Sequence, residues 1–304
     1  RQLFERCGDA CGVLFLAKSE KQQRLYSQLA EQFLGEDFAV WLQAADCKNI
    51  SGVASDVDAL FIPHSGWLNP RAVCQELIAH PNIELKHYSD IADLQRTDES
   101  WRAVDEGNKT LATADAAVLC CAHEAKKFSH SQHLPLKKIR GQITQLAGTP
   151  ALNTLKTVIC GASYIAPSPA AQAHEYTIGA SYNLNEASED LRAEDQRENI
   201  ERTRILSPDF AMLTGCDKGG KEEPLRGRVG FRCTTPDYFP IVGPLHKHGE
   251  MLATFGPLRK KAKAGIAAPG NYHPHLYCHL GLGSRGLCYS PLCADILASL
   301  ISGD

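Results

Sequence analysis

Leu276-Tyr277-Cys278-His279-Leu280-Gly281-Leu282-Gly283-Ser284-Arg285-Gly286-Leu287 runs straight into a segment with Leu292, Ile296, Leu297 and Leu300 at helical spacing. Residues 276–280 form an apolar strand pattern. Three glycines and a serine then free the backbone to approach a ligand closely. The helix that follows aims unpaired N–H groups and its positive dipole end at whatever lies before it. Strand, glycine turn and helix start together suit an anion or an electron-rich ring edge. The same letters also serve as a plain tight turn with a surface Arg285.

About 50 residues upstream stands Gly227-Arg228-Val229-Gly230-Phe231-Arg232-Cys233-Thr234-Thr235-Pro236-Asp237-Tyr238-Phe239-Pro240-Ile241-Val242-Gly243-Pro244. It begins as an alternating strand and reaches Pro236 and Pro240, where a ladder must stop. Arg232 is planted at the strand's end, where side chains tend to face a cleft. Its planar guanidinium pairs bidentately with a carboxylate, which fixes orientation as well as charge. Two readings of Arg232 stand: a clamp for an anionic ligand, or a brace paired with Asp237. Asp237 itself reads as a turn-former after Pro236.

The 304 residues can bury a substantial core in one large or two interleaved domains. Apolar content of 43% and charged content of 22% are ordinary for a soluble globular chain. No apolar run approaches the ~20 residues a membrane span needs, and no signal-peptide pattern opens the chain. The twelve cysteines include no CxxC pair. They read as reduced, mostly buried small hydrophobes of a cytoplasmic protein. The twelve histidines are scattered, and His273-Pro274-His275 lacks a partnering cysteine pair, so no metal site is expected.

Residues 11–17 read as a strand, and 20–34 as a helix with Leu25, Leu29, Phe33 and Leu34 at helical spacing. In the segment 66–80, Asn69 is placed as N-cap and Pro70 as first helical residue. Strands are expected over 83–95 and 110–122 with a charged hairpin-like connection, then over 139–146, 157–166 and 175–182. Asp190 to Leu206 reads as a charged helix, and 246–275 as an irregular insertion. Helices alternating with strands favour an α/β domain, and the strand-rich block 131–240 favours a second, mixed-sheet domain.

The segments "GRVGFRCTTPDYFPIVGP" (227–244) and "LGLGSRGLCYSPLCADILASLISGD" (280–304) resemble the C-terminal oxidase half of the MnmC family of bifunctional tRNA wobble-uridine modification enzymes. Further matches are "GWLNPRAVCQELI" (66–78), "LPLKKIRGQITQL" (134–146) and "IGASYNLNEASEDLRAEDQRENIERTRILSPD" (178–209). That half belongs to the glycine-oxidase and D-amino-acid-oxidase group of flavoproteins. The resemblance implies a flavin-binding domain at 56–125 and 241–304, interleaved with a substrate domain at 1–55 and 126–240. The family's flavin domain opens with a strand, a GxGxxG turn and a helix. No GxGxxG is read anywhere in the chain, which starts with arginine rather than methionine. The expectation is therefore a fragment that lacks the first dinucleotide-binding βαβ unit, with a methyltransferase domain using S-adenosylmethionine upstream in the parent.

The activity implied is FAD-dependent removal of the carboxymethyl group from 5-carboxymethylaminomethyl-(2-thio)uridine at the tRNA wobble position. The products are the 5-aminomethyl nucleoside and glyoxylate. Such chemistry needs a carboxylate clamp over the flavin, no metal and no covalent protein nucleophile. Arg232 matches the family's substrate-binding arginine, and Gly283, Ser284, Arg285, Gly286 and Leu287 match the contacts to the flavin's pyrimidine end. Ile91 matches a position meeting the adenine, and reads equally as a core strand residue.

One departure is Cys121-Ala122, where related enzymes carry Asn-Gly or Ala-Gly; alanine takes positive φ at a cost. A net charge of −3 is low for a nucleic-acid binder. Local clusters at Arg259-Lys260-Lys261-Ala262-Lys263, and at Lys137, Lys138 and Arg140, are the candidate tRNA contacts, with Trp67 and Tyr182 as candidate stacking rings or core residues. Alternatives are a free glycine- or sarcosine-type amino-acid oxidase and a flavin-free, non-catalytic fragment.

Overall fold

Asn69 and Pro70 start a helix as their chemistry dictates. In the computed structural model Asn69 Oδ1 accepts from the backbone N–H groups of Arg71 (3.0 Å) and Ala72 (3.3 Å). Pro70 takes the first helical position, where its missing N–H costs nothing. Ser19 caps the helix Glu20–Gln32 in the same manner, accepting from Gln22 N at 3.3 Å. The structure describes residues 2–33, 37–150, 152–167, 175–212, 225–266 and 268–304.

The chain divides into two compact units. The first comprises 1–83, 140–183 and 187–230; the second comprises 84–139, 184–186 and 231–304. Each unit is assembled from separated stretches of the chain. Residues 56–83 pack in the first unit. The reason is pairing: the strand Ala59–Ile62 lies between Val13–Leu16 and Val40–Leu42.

The first unit is built on a mixed nine-stranded sheet. Its order is β14 (Asn183–Leu184), β10 (Lys137–Ala147), β13 (Glu175–Ala180), β12 (Tyr164–Ile165), β11 (Val158–Cys160), β2 (Val13–Leu16), β4 (Ala59–Ile62) and β3 (Val40–Leu42). A further strand, β15 (Gly227–Thr234), also pairs with β10. A small ladder joins β1 (Gly8–Asp9) to β5 (Trp67–Leu68). Helices α1 (Gln2–Cys7), α2 (Glu20–Gln32), α3 (Ala44–Ser51), α4 (Pro70–Ile78) and α5 (Ala193–Arg204) complete the unit. Leu14, Leu16, Ile159, Ile165, Ile178, Ile200 and Phe210 form its core. On α2, Leu29 and Phe33 pack inward beside Ala30 and Leu60. Leu25, expected on that face, is exposed, and Leu34 lies outside the described residues.

The second unit holds two three-stranded sheets. One is β16 (Ile241–His246), β17 (Tyr272–Leu280) and β9 (Ala117–Leu119), with β9 parallel to β17. The other is the meander β6 (Asp93–Arg96), β7 (Trp101–Val104) and β8 (Thr110–Ala114). The expected strand over 83–95 is therefore only its last residues, and the charged connection contains β7. The expected insertion at 246–275 contains α6 (His248–Phe255). The last helix, α7 (Gly286–Ser302), buries Cys293 and Leu297. Leu292, Ile296 and Leu300 stay exposed, because α7 rests on β16 and β17 by one narrow side.

Cysteine burial also departs from expectation. Cys7, Cys47, Cys233, Cys278 and Cys293 are buried, whereas Cys74, Cys120, Cys121 and Cys288 are exposed. The apolar run ends at Leu119, so Cys120 and Cys121 emerge beyond β9. All the described cysteines are free thiols. No helix among the described residues is long and apolar enough to cross a membrane.

Candidate cofactor and substrate site

The end of β15 and the glycine turn after β17 lie side by side in the second unit. Gly283 N donates to Cys233 O at 2.7 Å, and Thr234 forms an antiparallel bridge with Leu282. A Cβ on Gly281 would meet Thr235 Cγ2 at 2.8 Å. Gly281 has φ +76 and Gly283 φ +57, a region side chains enter only at a cost. The turn needs glycine twice, for backbone conformation and for close approach to β15.

Arg232 immediately precedes the residue bonded to Gly283. Side chains alternate along a strand, so Arg232 shares a face with Thr234, and Cys233 points oppositely into the core. Thr234 Oγ1 lies 3.4 Å from where a Gly283 Cβ would stand. Arg232 and the turn therefore lie on one side of β15. Asp237 occupies a local turn instead: its Oδ1 accepts from Phe239 N (3.1 Å) and Thr235 Oγ1 (2.9 Å). Those donors, the backbone one foremost, hold its carboxyl below the usual carboxylate range. Turn formation is the role the geometry gives Asp237.

Three residues escaped sequence reasoning here. Tyr238 has φ +63, and it is 61% exposed beside Phe239 at 65%. The carbonyl of Phe239 lies 3.7 Å from the point a Cβ on Gly281 would occupy, so this aromatic corner adjoins the turn. Only the strained φ marks it out, and a sequence does not print dihedral angles. Further along β17, His279 has a buried Nε2 with no hydrogen-bond partner among the described residues.

Gly286 differs from the other two glycines. It opens α7 with nothing among the described residues within 4 Å of a Cβ position and no positive φ, so no packing among those residues demands glycine. The N-cap of α7 is Arg285, whose side chain makes no cap hydrogen bond. Its Nη1 donates to Tyr289 Oη at 3.1 Å instead. Ser284, Arg285 and Leu287 are exposed. The helix start thus presents backbone donors to open space.

The expected absence of a GxGxxG does not hold. Gly281-Leu282-Gly283-Ser284-Arg285-Gly286 is itself a G-x-G-x-x-G between a strand and a helix. The letters alone fit a pyrophosphate as well as a ring edge.

Ala122 takes φ +52. The turn after β9 is left-handed at an alanine, at a cost of about 1 kcal/mol. Ala122 and Ile91 both pack against the core cluster around Leu119, Phe128 and Leu276.

Arg140 is the largest departure among the candidate tRNA contacts. It is completely buried, pairs with buried Asp195 through Nη1, and donates to Ser188 O (2.8 Å), Asp190 O (2.5 Å) and Gln142 Oε1 (3.1 Å). No phosphate can reach it. Lys138 Nζ sits 3.8 Å over the ring of Phe231, and Lys137 is exposed. Arg259, Lys260, Lys261 and Lys263 are exposed on and after a short 3-10 turn. Trp67 is half-buried in β5, and Tyr182 is exposed after β13.

A family model described as FAD dependent oxidoreductase matches residues 1–300. The chain belongs to that family. It is 38% identical over 308 residues to the tRNA 5-methylaminomethyl-2-thiouridine biosynthesis bifunctional protein MnmC of Saccharophagus degradans, covering 99% of the chain and 42% of that protein. The corresponding protein of Pseudomonas aeruginosa is 38% identical over 312 residues, covering 100% and 46%. The chain spans less than half the length of these curated relatives. Its fold is similar to glycine oxidase from Geobacillus kaustophilus, with TM-score 0.72, 19% identity, and coverage of 100% of the chain and 75% of the enzyme. Iminodiacetate oxidase from Chelativorans gives TM-score 0.71, 17% identity, and coverage of 97% and 73%. The architecture is the α/β fold of these flavin oxidases. Open space at Gly286 and uncapped donors at α7 fit one edge of FAD, the cofactor the family uses.

Proposed function

We propose that this chain performs the oxidase step on the tRNA wobble uridine, removing the carboxymethyl group from 5-carboxymethylaminomethyl-(2-thio)uridine. The observation that carries this is the position of Arg232, one residue from the strand–turn hydrogen bond that fixes the 281–286 turn. A clamp must hold its carboxylate beside the reacting end of the cofactor. A turn adjoining the clamp therefore holds the ring rather than the pyrophosphate. FAD, when bound, accepts hydride from the carboxymethyl carbon. Arg232 pairs with the substrate carboxylate and fixes the arm's direction. Backbone N–H groups at Gly286 and Leu287 would hold the cofactor's pyrimidine end, where a helix N-terminus stabilises negative charge without rearrangement. Water adds to the substrate imine, glyoxylate leaves, and the 5-aminomethyl nucleoside remains.

Tyr238 and Phe239 offer exposed rings on which a splayed base stacks. Arg259, Lys260 and Lys261 supply phosphate contacts, Ile91 meets the adenine, and a methyltransferase domain using S-adenosylmethionine accompanies this part in the parent protein. The parent enzyme, given tRNA bearing the carboxymethylaminomethyl arm, should release glyoxylate in step with the 5-aminomethyl nucleoside. Equal or better kcat/KM on free glycine or sarcosine would instead make it a small-molecule oxidase.

Gly286→Ala gives a sharper check on the turn. The apoprotein's melting temperature should hold, since the new methyl enters open space, within ~0.5 kcal/mol. FAD affinity, read by fluorescence titration, should fall about tenfold or more, equivalent to ~1.4 kcal/mol. Unchanged FAD affinity would remove the turn from the cofactor site.

A further inference from the structure

The sequence scatters twelve histidines along the chain, yet folding gathers five of them around one open cavity of the second unit. His130, His133, His248 and His273 line it, with a volume of about 460 Å³, and His246 packs against His133 with ring centroids 4.5 Å apart. Three converge more closely: one ligand nitrogen each from His133, His246 and His248 lies within 4.8 Å of the others. We propose that His133, His246 and His248 form a binding site for a zinc-class divalent metal ion.

Chemistry and geometry both favour the metal. Imidazole nitrogen is a preferred ligand for zinc, at about 2.0–2.1 Å in tetrahedral sites, which puts neighbouring ligand nitrogens roughly 3.3 Å apart. Closing from the observed spread needs ring rotations moving each nitrogen by about 1 Å, within the reach of side-chain torsions. His133 Nε2 is buried with no hydrogen-bond partner among the described residues, an unmet capacity that coordination would fill. His133 and His248 stack at 4.3 Å with rings 14° apart. Two like-charged rings would repel in that arrangement.

The ligands come from distant parts of the chain. His133 follows the 3-10 turn Ala122–Lys127, His246 ends β16, and His248 opens α6. An ion there would pin the 128–134 segment to the β16–α6 corner. The fourth position is open to water or to Glu250, which also lines the cavity. Lys247 opposes a cation, but its Nζ is held 3.3 Å from Glu250 Oε1.

The test is zinc titration of the metal-stripped chain by calorimetry, after alkylating the thiols, because exposed Cys74, Cys120, Cys121 and Cys288 bind zinc themselves. The expected result is one zinc per chain and a melting temperature that rises with free zinc. His248→Ala removes an exposed ligand with little effect on folding. It should weaken binding beyond the roughly 10–100-fold that losing an outer-shell partner costs. Cobalt in place of zinc should give visible ligand-field bands without sulfur charge transfer. Binding that disappears on alkylation, or that His248→Ala and His246→Ala leave unchanged, would overturn the site.

Discussion

Replacing Arg140 by methionine is expected to destabilise the protein by about 3–5 kcal/mol, the cost of leaving one partner of a buried ion pair alone. Arg140 and Asp195 are both out of water. Arg140 also donates to three further oxygens, two of them backbone carbonyls of the segment leading into α5. Methionine fills much of the volume but donates nothing, so Asp195 is left with the amide of Asn183, whose Nδ2 donates to it at 3.2 Å. The network extends further: Gln142 Nε2 donates to Arg192 O at 2.9 Å, and Asn199 Nδ2 donates to Gln142 O at 2.8 Å. Urea denaturation measures the effect as a lower midpoint. Adding Asp195→Leu to Arg140→Met should recover part of the loss, since removing both charges is far less costly than removing one. A single-variant loss below ~1 kcal/mol would mean water reaches the pair. The same variant should keep its tRNA salt dependence once folded, because Arg140 meets no phosphate.

Arg232→Ala carries the second large effect. In the parent enzyme with modified tRNA, kcat/KM should fall at least ~100-fold, within the 2–5 kcal/mol expected for truncating one side of a desolvated charge pair. Bound flavin absorbance should be unchanged. Arg232→Lys should recover only part, since an ammonium keeps the charge and loses the planar fork. Full activity in Arg232→Ala would discard the clamp. Loss of flavin would show that Arg232 serves the fold or the cofactor instead.

The resemblance carried by residues 66–78, 134–146, 178–209, 227–244 and 280–304 pointed to the family, but it left the work of each segment open. The segments 134–146 and 178–209, two of the stretches that carry the resemblance, meet each other through Arg140, Gln142, Asp195 and Asn199. What they share is an internal polar brace, and the basic letters in "LPLKKIRGQITQL" misled because charge on a strand does not reveal which face is buried. The histidines illustrate the reverse case. No spacing rule links His133 to His246, so a scan for ligand motifs passes over them.

The features legible from letters are those whose partners lie within about four residues: the cap at Asn69, Pro70 at a helix start, the Asp237 turn, and the glycine turn feeding α7. Such interactions close over a few bonds, so local chemistry suffices. Arg140's fate depends on oxygens 48 to 55 positions away. The exposure of Leu292 and Ile296, the left-handed Ala122 and the gathering of three imidazoles likewise follow from chain packing. Burial is a property of what lies opposite in space, and strand order, which sets those neighbours, is written in no single segment.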